Sequence, residues 1–135
     1  MRVAARLATW SVVVTMAVGG LALAEPQPWT IPAAELKGVK NPVAKAALPA
    51  SVTRGAALFT KHCAGCHGDG GKGDGPDGAY YSPSPSDLTS PGVVKQSDAE
   101  LFVKITRGRG DMETFEKKLD AAQRWDVVNF LRSLK

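Results

Sequence analysis

Hydrophobic positions recur at helical spacing in three stretches of the chain, and nowhere do they alternate as a half-buried strand requires. Val52, Ala56, Phe59 and Cys63 share one helical face and predict a helix over 52–62 with Ser51 as its N-cap. Gly55 lies inside that helix, where glycine costs about 1 kcal/mol relative to alanine. Either the position is indifferent or another helix comes close. Ser97-Asp98-Ala99-Glu100 has the form of a capping box, and Leu101, Phe102 and Ile105 give the following helix an apolar stripe that ends at Gly108, a natural C-cap. Asp120 to Gln123 repeats the capping pattern. Two adjoining apolar rows follow, Trp125, Val128, Leu131 and Val127, Phe130, Leu134, the strongest helical signal in the sequence. No internal repeat is present.

Between these helices the sequence is punctuated. Pro26, Pro28, Pro32, Pro42 and Pro49 forbid a long helix and predict an extended arm or linker over 25–50, whose Trp29 and Ile31 either pin its start onto the folded part or, for the Trp, are incidental. Gly68 to Gly78 is a loop by composition. Its aspartates match neither the EF-hand nor the glycine-aspartate repeat, and Gly71-Lys72 lacks the following Ser or Thr of a phosphate loop. Pro83, Pro85 and Pro91 continue the coil.

The first 24 residues form a distinct segment. Arg2 and Arg6 make a basic start, Leu7 to Leu23 is mostly apolar, and Ala22-Leu23-Ala24 is a small-x-small cleavage site, which predicts a signal peptide removed after Ala24. The competing reading is an uncleaved anchor helix, since the apolar stretch approaches the roughly 20 residues that span a bilayer. Either reading exports the folded part, to a periplasmic or similar compartment. Membrane association is expected only if the leader stays. Domain organisation is then 1–24 leader, 25–50 arm and 51–135 folded domain.

Removing the leader leaves 15 basic and 13 acidic side chains. So small an excess gives no footing for nucleic-acid binding. Export would ordinarily pair two cysteines as a disulfide, but only two residues separate Cys63 from Cys66, and so small a loop stabilises little.

Those cysteines stand in Cys63-Ala64-Gly65-Cys66-His67, the attachment signature of c-type haem: two thiols for the two porphyrin vinyl groups and an adjacent imidazole for the iron. The sixth ligand then decides between electron transfer and chemistry at an open site. The other histidine, His62, adjoins Cys63 and is too near in sequence to reach the far face. Met1 and Met16 belong to the leader, leaving Met112, which follows the glycine-rich turn Gly108 to Asp111, as the expected ligand. A zinc site would want two separated ligand pairs, and a dithiol oxidoreductase a strand-helix-strand setting. Neither context is present.

An ordered series of motifs resembles the mono-haem class I cytochromes c, exported electron carriers of bacterial respiratory chains. It runs through Arg54-Gly55, Leu58-Phe59, Cys63 to Gly68, Gly73-Asp74-Gly75-Pro76, Asp87-Leu88, Ile105 with Gly108, Met112 with Phe115, and Arg124-Trp125 with Val128, Phe130 and Leu131. The resemblance spans about 51–134. It implies a small all-α fold of three to four helices around one covalent haem c, the first and last crossing so that Gly55 and Phe59 meet the Val127 to Leu131 face. It also implies that the Pro76 carbonyl accepts a hydrogen bond from the His67 ring. Glu113 stands where many relatives have proline.

The expected function is single-electron transfer between respiratory redox proteins, a donor and an acceptor met in transient docking, with no substrate transformed. A subunit of a larger oxidoreductase complex, or a haem enzyme or sensor with a labile sixth ligand, is the alternative. Lys104, Arg107, Arg109, Lys117 and Lys118 flank Met112 and are either a docking patch or ordinary solvated surface.

Overall fold

The computed structural model describes residues 28–134. The predicted leader and its cleavage site lie outside the described residues. Six α-helices occur among those described: α1 (Ala33–Leu36), α2 (Leu48–His62), α3 (Ala64–His67), α4 (Pro91–Val94), α5 (Asp98–Arg107) and α6 (Ala121–Ser133). No strand is found among the described residues, so the all-α expectation holds; three of the helices are single turns.

Helix α2 begins before the predicted cap. Pro49 sits in its first turn, where a missing N–H costs nothing. Ser51 is therefore not an N-cap. It is fully buried inside the helix, and its hydroxyl donates to Asp126 Oδ1 at 2.5 Å on α6. Ser51, Gly55 and Phe59 form the buried stripe of α2.

Helices α2 and α6 cross over Gly55. A Cβ there would collide with the Asp126 backbone carbonyl and the Phe130 side chain, so glycine is what allows this approach. One turn further, the Phe59 and Phe130 rings pack 5.1 Å apart. Polar groups seal the other side of the joint. Arg54 donates to both Asp126 oxygens, and Asn129 Nδ2 donates to the Ser51 hydroxyl at 2.8 Å, so each buried polar atom has a partner.

The remaining core is built by α5, α6 and the segment between them: Leu101, Ile105, Phe115, Leu119, Trp125, Val127 and Val128. Phe102 stacks on Trp125 at 4.2 Å. Both predicted capping boxes are complete, Ser97 with Glu100 and Asp120 with Gln123, and α5 stops at Gly108 with φ of 63°.

The proline-rich arm is not a free tether. Ile31 is buried, Glu35 pairs with Arg107 on α5, and Asn41 Nδ2 donates to Asn129 Oδ1 at 2.6 Å. The Trp29 ring lies against Lys104 and Arg109.

Candidate functional site

Helix α2 ends where the Cys63 amide donates to the Phe59 carbonyl at 2.8 Å, and the chain turns directly into α3. That single turn is closed by Cys66 and His67 amides donating to the Cys63 carbonyl at 3.2 and 2.8 Å. Cys63, Cys66 and His67 thus stand three and four residues apart on one helical face. Both thiols are free and half-buried.

The following loop is folded underneath this turn. Gly73 and Gly75 amides donate to the His67 and Cys66 carbonyls at 2.8 and 3.2 Å. A Cβ on Gly75 would strike the Ala64, Gly65 and Cys66 backbone, so the glycines of Gly73-Asp74-Gly75 form a bed that a side chain would fill.

His67 Nδ1 lies 3.0 Å from the Ser86 carbonyl. A carbonyl only accepts, so Nδ1 carries the proton and Nε2 is left with its lone pair free for a metal. Burial pushes the ring's pKa down and the Ser86 bond opposes this; the net lowering keeps the imidazole neutral at pH 7. The resemblance assigned this bond to Pro76. Here Pro76 instead opens the short 3-10 turn Pro76–Tyr80, and the acceptor is ten residues further on.

Burial, then the Glu113 carboxylate and the neighbouring Cys66, push the Cys63 thiol up to about 12. Cys66 is raised by burial first and Asp77 second, with the Tyr81 hydroxyl opposing. Glu113 raises both thiols through its charge. The Phe115 ring, three residues past Met112, meets His62 edge-on with centroids 6.1 Å apart, and since His62 precedes Cys63 this brings the Met112 segment to the turn.

Met112 itself is half-buried against the core. It pairs with Arg109 in a small antiparallel bridge, Arg109 amide to Met112 carbonyl at 2.9 Å and Met112 amide to Arg109 carbonyl at 3.1 Å. Gly108 makes that fold-back possible, since any Cβ would meet the Met112 and Glu113 carbonyls. Thr114 Oγ1 donates to the Thr106 carbonyl at 2.7 Å and ties down the far side.

Among the described residues no three His, Cys, Asp or Glu side chains cluster as a metal-binding group. The donor set suits a different group: two thiols one turn apart, an imidazole with Nε2 available, and a thioether on the adjoining loop.

Residues 52–135 match the family model described as Cytochrome c. The chain belongs to the cytochrome c family. As a cytochrome c domain it is a haem-bearing electron-transfer module, with covalently bound haem c as the cofactor that such a domain carries.

Two known proteins frame this. The cytochrome bc1 complex cytochrome c subunit of Corynebacterium efficiens is 27% identical over 88 residues, covering 64% of this chain and 27% of that protein. This chain therefore spans about a quarter of that relative's length. A chain of the reducing HAO-like protein complex of Kuenenia stuttgartiensis superimposes with a TM-score of 0.61 at 23% identity, covering 83% of this cytochrome c and 52% of that chain, a likeness of fold.

Two groups at the site left no signal in the sequence. The Ser86 acceptor is a backbone carbonyl, which every residue has, and the Tyr81 hydroxyl beside Cys66 lies in a stretch that reads only as coil.

Proposed function

We propose that this cytochrome c carries single electrons between redox proteins, using one haem c held by Cys63 and Cys66 and ligated by His67 and Met112. The observation that carries this reading is the approach of the Met112 segment to the haem-binding turn through Phe115 on His62. When bound, the group supplies one-electron iron chemistry, and a Met/His axial pair raises its potential.

The chain's own residues do the rest. The two cysteines anchor. The Ser86 carbonyl holds the His67 ring in one orientation and tautomer, and makes it a better donor. Phe59, Phe115, Trp125 and Ile105 are buried and keep water from the site, which disfavours the extra charge of the ferric state. No histidine is placed as a distal acid-base group, since His62 directly precedes Cys63 on the same segment and His67 is taken as the ligand. This supports a carrier over an enzyme that transforms a substrate.

The proposal places the domain outside the cytoplasm, in a periplasmic or equivalent space, after removal of residues 1–24. A second reading, as the haem subunit of a larger complex, is favoured by the Corynebacterium relative, which is itself the cytochrome c subunit of a cytochrome bc1 complex. Purification from native membranes separates the two: the carrier stays soluble and the subunit travels with its complex.

A redox titration of the purified holoprotein with spectra at each potential tests the central claim. A low-spin ferric form with the iron-thioether charge-transfer band supports it, and a high-spin ferric form overturns it.

A further inference from the structure

We propose that Trp29, in the arm that precedes the cytochrome c domain, is a positioning residue for the Met112 loop. The inference rests on the reading of Met112 as an axial ligand.

The half-buried Trp29 ring is approached by two cations from the domain, the Arg109 guanidinium at 4.9 Å from its centroid and Lys104 Nζ at 5.4 Å. A cation over an indole face is held by the ring quadrupole, and more strongly where water is excluded. Lys104 is 8% exposed and its Nζ also donates to Gln96 Oε1 at 2.7 Å, so one edge of this cage is rigid. Arg109 is the other edge, and it is the residue that exchanges both backbone hydrogen bonds with Met112. Holding the Arg109 side chain against Trp29 therefore restrains the bridge that presents the thioether.

The arm is fixed just beyond this contact. Ile31 is buried two residues on, and Glu35 pairs with Arg107 just before the Gly108 turn.

The test is an imidazole titration of the ferric holoprotein, following loss of the iron-thioether band. Trp29→Leu keeps apolar bulk but removes the strong π face, and imidazole is expected to displace Met112 at about tenfold lower concentration. Trp29→Phe should recover most of the wild-type resistance. Arg109→Gln should imitate Trp29→Leu, and the double variant should be no worse than either alone, because both remove one contact. Faster amide exchange at Arg109 and Met112, with thermal unfolding of the domain unchanged, distinguishes positioning from general stability. A wild-type protein without the band overturns ligation by Met112 and this inference with it. A band present in wild type and displaced equally easily in Trp29→Leu, or additive effects in the double variant, overturns the role of Trp29 alone.

Discussion

Arg54 grips the carboxylate of Asp126 with two hydrogen bonds, Nε to Oδ2 at 2.7 Å and Nη2 to Oδ1 at 2.8 Å, across the joint between α2 and α6. Burial pushes the Asp126 carboxyl up, but hydrogen bonds from Arg54 and Ser51 and the Arg54 charge outweigh it, and the net shift is below the ordinary 3.8. A carboxylate depressed in the folded state contributes stability that is present above its unfolded pKa and lost as pH falls through the folded value. Asp126→Asn should lower the unfolding free energy by about 1–3 kcal/mol at pH 7. The gap from wild type should close as the pH falls through the depressed Asp126 value, where both side chains become neutral. Denaturant unfolding at pH 7 and through the acid range checks both statements.

Gly55→Ala places a methyl group into the Asp126 carbonyl. The helices must move apart, at a cost of about 2–4 kcal/mol, more than the helix propensity of alanine returns. Thermal unfolding of the holoprotein should show a lowered midpoint; an unchanged or raised one would mean that the crossing is looser than described.

Met112→Ala should leave haem covalently attached through Cys63 and Cys66 but lower the midpoint potential by on the order of 100 mV, since the thioether is what raises it. Haem staining after denaturing electrophoresis reads attachment, and a redox titration reads the potential. Replacing both cysteines with serine should abolish the stain while leaving the polypeptide band.

Electron transfer to a charged partner should depend only shallowly on salt. Of the five basic residues around Met112, Arg107 pairs with Glu35 and Lys118 with Glu113, while Lys104 and Arg109 keep their charge against the neutral Gln96 and Trp29. Asp111 and Glu116 lie in the same stretch and leave only a small net charge, so long-range steering is weak. A change of less than about threefold in bimolecular rate between 50 and 200 mM salt is expected; stopped-flow kinetics with a partner protein measures it.

What the sequence revealed and what it concealed follow from the range of each interaction. The capping boxes at Ser97 and Asp120 and the stop at Gly108 depend on residues within four positions of one another, and all formed as expected. Ser51 was misread because a serine before an apolar run looks like a cap, whereas its hydroxyl is used by Asp126, 75 residues away. The buried Asp126 and Asn129 were hidden for the same reason, polar residues among apolar rows whose partners lie on another helix. The arm's prolines correctly excluded a long helix but said nothing of Asn41 reaching Asn129. Pro76 lost its place to the Ser86 carbonyl because loop path, and not residue type, decides which backbone oxygen meets the imidazole.

The joint between α2 and α6 also bounds the site. Its polar contacts link residues 72, 75 and 78 positions apart, and the turn carrying Cys63, Cys66 and His67 lies inside the loop they close. The entropic cost of closing a loop rises only slowly with its length, so one clasp can hold so long a segment at little extra cost. The thiols of Cys63 and Cys66 are half-buried within it, and the crossing at Gly55 is what keeps that loop shut.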